Sequence, residues 1–216
     1  MGSCALVKPR RPPNANSDFV RRLLAHLAAT RFYGAPMSLG SDEAGREIFS
    51  FIEGEVPAEL AFIDDRALCA AATLIRRFHD LTVDLVESAA ATEVGIEVVC
   101  HNDLSPCNFV FRDGLPVAMI DFDAAAPGTR AHDLGYAAWL WLNIGSPELP
   151  PAEQKRRLRL FIETYGGIAL DVVLRSMMER QMVLFAEGQR LGNTGMSDWA
   201  TECLEWTRRH ALELTY

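Results

Sequence analysis

The chain has 216 residues, enough for one domain or two small lobes, and its 49% hydrophobic and 23% charged residues are ordinary for a globular protein. Its net charge of −8 argues against nucleic acid or an anionic membrane as the main partner and is compatible with a cationic small molecule. Five cysteines, odd in number and without a Cys-x-x-Cys pair, point to free thiols in a reducing cytoplasm; no secretory leader is visible before Asn16, and no apolar run approaches a membrane span.

In chain order, Ala5-Leu6-Val7-Lys8 reads as a brief strand, followed by a proline-rich connector from Pro9 to Pro13. Asn16 or Ser17 can cap a helix that carries Phe19, Val20, Leu23, Leu24 and Leu27 on one face. Met37 to Gly40 and Arg46 to Ile52 predict two strands around a Ser41-Asp42-Glu43 turn. Glu53-Gly54-Glu55-Val56-Pro57 breaks both patterns and reads as a hinge between lobes. Leu68, Ala71, Ala72, Ile75 and Phe78 recur at helical spacing, which predicts a helix from Asp65 to His79. Three β-prone runs follow: Glu97 to Cys100, Asn108 to Arg112 and Leu115 to Ile120. Asp113-Gly114 between the last two favours a tight hairpin. Helices are then expected over Asp133 to Asn143, Pro151 to Tyr165, Ala169 to Leu191 and Ser197 to Leu214, with Pro151 at a first helical position and Ser197 as a cap. The Trp139-Leu140-Trp141 cluster reads as core, or else as the wall of a pocket.

The hairpin brings chemistry to one rim. Asn108 opens it and Asp121 closes it, and Asp103 lies on the loop just before, where Ser105-Pro106 keeps the backbone extended. A phosphoryl-transfer site needs one carboxylate to receive a hydroxyl proton and two oxygen ligands for Mg²⁺ on nucleotide phosphates. Asp and Asn are also common turn formers for purely local reasons. The order base, metal ligand, metal ligand favours the chemical reading over that one.

His101-Asn102-Asp103-Leu104-Ser105-Pro106-Cys107-Asn108, with Ile120-Asp121-Phe122-Asp123, resembles the kinase catalytic loop and its metal-binding Asp-Phe. It is most similar to the aminoglycoside phosphotransferase and choline kinase family, and the stretch from Pro127 to Gly135 matches that family's pattern as well. The resemblance implies an α+β, protein-kinase-like fold of two lobes: a small mixed N-terminal lobe over residues 1–52, a hinge over 53–57, and a mainly helical catalytic lobe over 58–216. It makes Asp103 the catalytic base and Asn108 and Asp121 the Mg²⁺ ligands, with ATP or GTP as phosphoryl donor. Hinge backbone around Ser50, Phe51, Ile52 and Glu53 would hydrogen-bond the nucleotide base. Lys8 is the first candidate for the phosphate lysine and Arg10 the second. His101 is expected to brace the loop, Asp133 to cap the next helix and anchor the loop from beneath, and Asp123 to lie near the metal or end a strand in solvent.

The chain opens at what corresponds to the family's third strand, which leaves no residues for a glycine-rich phosphate hairpin, and the first helix offers only Asp18 where the family's helix presents a glutamate. The expected activity is phosphorylation of a hydroxyl on a small molecule. Two rivals stand beside it: a catalytically impaired nucleotide-binding or regulatory protein of the same fold, and a metal phosphohydrolase suggested by His79-Asp80, His101-x-Asp103 and His132-Asp133.

Overall fold

The computed structural model describes residues 5–7, 16–87 and 95–215, so Lys8, Arg10 and the proline-rich connector lie outside the described residues. Strands β1 (Ala5–Val7), β2 (Ser38–Ser41) and β3 (Glu47–Ser50) form an antiparallel sheet in the order β1-β3-β2. The turn between β2 and β3 is closed by Asp42, whose carboxylate accepts from the Ala44 and Arg46 amides and pairs with the Arg46 guanidinium at 2.6 Å. Helix α1 (Ser17–Ala29) buries Val20, Leu23, Leu24 and Leu27, the i, i+3, i+4, i+7 stripe that its spacing demands. Asn16 precedes it without a capping side-chain bond. Its amide instead donates to the carbonyls of Asp123 and Ala125 at 2.8 and 3.0 Å, tying the start of α1 to the far side of the site.

The hinge residues dock on the large lobe as a strand-like bridge. Glu55 and Phe111 exchange backbone hydrogen bonds of 2.8 and 2.7 Å, and Arg112 donates to the Glu53 carbonyl. Gly54 permits this approach: its φ is +147°, and a Cβ there would lie 2.4 Å from the Phe111 carbonyl oxygen.

Helix α2 runs Asp65–Glu87, a full two turns beyond the expected end at His79. Leu81, Leu85 and Val86 continue the apolar face. Thr82 fits inside the helix because its hydroxyl donates back to the His79 carbonyl and accepts from the Val99 amide, joining α2 to β4 (Val98–Cys100). His79, the expected last residue of the helix, is therefore an interior and fully buried one.

Strands β5 (Phe109–Arg112) and β6 (Leu115–Met119) form the expected hairpin, with Asp113 and Gly114 at φ +52° and +75° in the turn. A further strand, β7 (Ala126–Gly128), pairs antiparallel with β4 and had no alternating pattern to announce it. Helices α3 (Arg130–Trp141), α4 (Pro151–Tyr165), α5 (Leu170–Leu191) and α6 (Thr194–Thr215) complete the large lobe. Thr129, not Asp133, caps α3 by accepting from the His132 amide. Asn193, not Ser197, serves α6: its side chain accepts from the Met196 amide, while Ser197 is buried inside the helix against Gly188. Gly135 lets α5 approach α3 closely, since a Cβ there would meet the Met177 amide nitrogen at 2.6 Å. Trp139, Trp141, Leu158 and Phe161 fill the shared core, each such buried side chain contributing roughly 1.5–3 kcal/mol. No described helix is long and apolar enough to cross a membrane.

Gly54→Ala should destabilise the fold by about 2 kcal/mol or more in urea unfolding, because steric conflict adds to the unfavourable φ. Gly45→Ala, with φ +75° but nothing within 4 Å of its Cβ position, should cost only about 1 kcal/mol.

Candidate active site

The loop from His101 to Asn108 hangs from one buried carboxylate. Asp133, in the first turn of α3, accepts from the His101 amide at 2.7 Å and the Asn102 amide at 2.8 Å, and from His79 Nε2 at 3.0 Å. His79 Nδ1 faces the Tyr165 hydroxyl at 2.8 Å, and that hydroxyl accepts from Arg130 at 3.0 Å. The donors run in one direction, from Arg130 through Tyr165 and His79 to Asp133, which assigns His79 the Nε2–H tautomer. Asn102 sits at φ +67°, a conformation costing on the order of 1 kcal/mol. Its amide bond to Asp133, its side-chain bond to the Ala124 carbonyl and the Arg180 bond to its own carbonyl hold it there. Further along, Trp141 Nε1 donates to the Leu104 carbonyl at 2.9 Å.

Asp103, Asn108 and Asp121, each half-buried, lie where this loop joins the hairpin. Asn108 Nδ2 donates to the Asp103 carbonyl at 3.0 Å, and the Ile120 amide donates to the Asn108 carbonyl at 2.9 Å. Asn108 is thus paired one step from Asp121, which occupies the left-handed region at φ +65°. His101 braces the junction from inside: its Nε2 donates to the Ile120 carbonyl at 3.0 Å and its ring packs on Phe122, centroids 4.6 Å apart. Asp103 Oδ1 accepts from the Tyr136 hydroxyl at 3.2 Å.

Asp121 also borders an apolar cavity of about 180 Å³ between the small sheet, the hinge and the hairpin. Ser50, Phe51 and Ile52 line one wall, and Val20, Leu24, Val110, Ile120 and Phe122 line the others. Glu53, expected with the hinge set, borders instead the neighbouring groove beside Arg112 and Asp113. Lys8 lies outside the described residues.

A divalent cation suits this donor set. With its nitrogen committed to the Asp103 carbonyl, Asn108 has its amide oxygen left for a hard cation, and Asp121 supplies a carboxylate at the cavity mouth. Among the described residues no three His, Cys, Asp or Glu side chains gather as a metal cluster. His79 and His101, which prompted the hydrolase reading, are engaged with Tyr165, Asp133 and the Ile120 carbonyl.

Burial alone would raise the Asp133 pKa, but the His79 side chain and the His101 ring and amide overcome it and hold the carboxyl below its ordinary 3.8. Burial lowers His101 below its ordinary 6.5 against the pull of Asp133, consistent with a ring whose Nδ1 finds no hydrogen-bond partner among the described residues. Burial pushes the Tyr165 hydroxyl up to about 12, so it remains a donor.

Tyr136, Arg180, Tyr165 and the interior role of His79 were not foreseen. Tyr136 and Arg180 reach the loop across 33 and 78 residues of sequence, and Tyr165 reaches His79 across 86, separations that no local periodicity encodes. The one available hint was His79 itself, a polar residue on the apolar stripe of α2.

A family model described as "Phosphotransferase enzyme family" matches residues 94–170, the stretch that contains this loop and hairpin. A trifolitoxin immunity protein from Rhizobium leguminosarum bv. trifolii is 32% identical over 168 residues, covering 69% of this chain. The chain spans 64% of that curated relative's length. Among solved structures, a microcompartment-associated aminopropanol kinase superposes with a TM-score of 0.65 at 13% identity, covering 98% of this chain and 86% of its own. An amicoumacin kinase in complex with AMP-PNP, Ca²⁺ and Ami gives 0.64 at 11% identity, with 91% and 78% covered. A GDP complex of an aminoglycoside 2'-phosphotransferase-IIIa mutant gives 0.58 at 15% identity, with 94% and 86% covered. The fold is protein-kinase-like. It is shared with aminoglycoside phosphotransferases and with aminopropanol and ethanolamine kinases, and the loop segment lies within the stretch that matches the phosphotransferase family model.

The pKa directions set an acid limb of stability. Below 6.5 the unfolded chain protonates His101 while the folded chain resists, so stability falls as pH drops through that window. Below 3.8 the unfolded chain protonates Asp133 before the folded chain does, and a second loss follows. Urea midpoints measured from pH 8 to 3 should show both steps, the first flattened by His101→Gln and the second by Asp133→Asn.

Proposed function

We propose that this protein transfers the terminal phosphoryl group of ATP or GTP to a hydroxyl of a small molecule. The observation that carries the reading is the convergence of Asp103, Asn108 and Asp121 on one braced junction beside the apolar cavity. Asp103 orients the acceptor hydroxyl and takes its proton. Asn108 and Asp121 hold Mg²⁺, which when bound neutralises charge across the nucleotide phosphates. The walls formed by Leu24, Val110 and Ile120 suit the faces of a planar base, and the backbone of Ser50, Phe51 and Ile52 supplies its hydrogen bonds. Lys8 contacts the phosphates. Residues 53–57 act as the hinge between a small lobe over 1–52 and a catalytic lobe over 58–216. The acceptor is uncharged or cationic, in keeping with the net charge of −8. The four described cysteines are free thiols, which suits a cytoplasmic protein.

The likeness to an immunity protein supports a second reading of the same site, in which nucleotide is bound without turnover and the complex regulates or sequesters a target. Mg-ATP or Mg-GTP at a hundredfold excess over Kd should stabilise the fold by about 2.7 kcal/mol in either case. Asp121→Asn and Asn108→Ala should each reduce the Mg²⁺-dependent part of that gain. Turnover separates the readings. With amino sugars, choline-like alcohols and other small hydroxyl compounds as acceptors, Asp103→Asn should leave nucleotide binding intact and lower turnover at least about a hundredfold. Wild-type turnover matched by Asp103→Asn refutes the base assignment.

A further inference from the structure

Asp103 is held by more than its loop. Tyr136 stands three residues beyond Asp133 on α3, so the helix turns both toward the loop, Asp133 to its backbone and Tyr136 to the Asp103 side chain. The Tyr136 ring is itself fixed. Arg180 of α5 lays its guanidinium 4.5 Å from the ring centroid, and Trp139 meets the ring edge-on at 6.3 Å. The same guanidinium donates to the Asn102 carbonyl at 2.9 Å and meets His132 Nε2 at 3.0 Å. Arg180 therefore grips the residue before Asp103 and the ring that bonds Asp103.

We propose that Tyr136, steadied by Arg180, is a positioning residue for Asp103: it engages Oδ1 and thereby presents Oδ2 to the acceptor hydroxyl. The inference rests on the reading of Asp103 as the base. A carboxylate is free to rotate about its terminal torsion, and a donor fixed on one oxygen removes that freedom. Among the described residues Oδ2 accepts no other hydrogen bond, so it is the oxygen left for the acceptor. The phenol donates its proton to Asp103 and does not compete for the substrate's. Burial, followed by the Asp103 charge, raises its pKa and keeps it a donor throughout the working pH range. Arg180 above the ring polarises the O–H further.

Four full-length proteins test this: wild type, Tyr136→Phe, Asp103→Ala and the double variant. Phenylalanine keeps the ring on its neighbours and deletes only the hydroxyl. The probe is phosphate release from Mg-ATP and Mg-GTP, with water as acceptor. Tyr136→Phe should lower kcat about tenfold while KM for nucleotide stays within about twofold. In the Asp103→Ala background the same change should alter the residual rate by less than about twofold, because the group Tyr136 acts through is gone. Equal losses in both backgrounds would overturn the inference, since Tyr136 would then act independently of Asp103. A slow Asp103→Ala beside an unimpaired Tyr136→Phe overturns it while sparing the base assignment. An unimpaired Asp103→Ala overturns the base assignment and the inference together. Urea unfolding of the same four proteins decides the point without turnover. The two substitutions should be non-additive by about fivefold or more in the unfolding equilibrium constant, and additivity within about twofold overturns the proposal.

Discussion

The arrangement depends on one buried carboxylate. Asp133 is fully enclosed, and an unpaired charge at such a depth would cost several kcal/mol. It is tolerated because three donors converge on it: two backbone amides of the loop and one imidazole of α2. The dependence is mutual. The loop amides have no strand to pair with, and without Asp133 they too would be buried and unsatisfied. The chain beyond the imidazole, through Tyr165 to Arg130, ends at the Asp80 carboxylate on the surface. One charge thereby locks α2, α3, α4 and the loop into a common register.

That rigidity serves geometry rather than stability alone. Asn102 and Asp121 both stand in the left-handed region, which non-glycine residues enter only when their surroundings insist. Each flanks or forms part of the proposed chemical set. Strain at these positions aims side chains that a relaxed loop would send elsewhere. The bracing is thorough: amide bonds from below, His101 to the Ile120 carbonyl, Trp141 to the Leu104 carbonyl, and Arg180 to the Asn102 carbonyl. In phosphoryl transfer most of the rate comes from positioning and charge neutralisation. A loop held from several directions is what such a reaction requires.

The small lobe is attached differently. Among the described residues, its hydrogen bonds to the loop and hairpin segment include the Glu55–Phe111 bridge, the Arg112 bond to the Glu53 carbonyl, the Asn16 amide on two carbonyls after Asp121, and the Met119 amide on the Gly34 carbonyl. These are mostly backbone bonds around an apolar cavity.

Much of this was legible in the amino-acid sequence. Hydrophobic spacing set α1 and the start of α2, the Asp113-Gly114 dipeptide set the hairpin, Pro151 set the start of α4, and the order of Asp103, Asn108 and Asp121 pointed to the chemistry proposed above. All of these are local signals, encoded within a few residues by periodicity, turn preference or a motif of fixed spacing. Tertiary structure decided the rest. β7 exists because β4 offers an edge, not because its own Ala-Pro-Gly favours a strand. Helix α2 continues past His79 because Asp133 and Tyr165 arrive to satisfy the imidazole. Tyr136 becomes a partner of Asp103, and Arg180 of Tyr136, only when α3 and α5 pack at Gly135. A buried polar group is stable only with its partners, and the partners here lie tens of residues away, where no local pattern reaches.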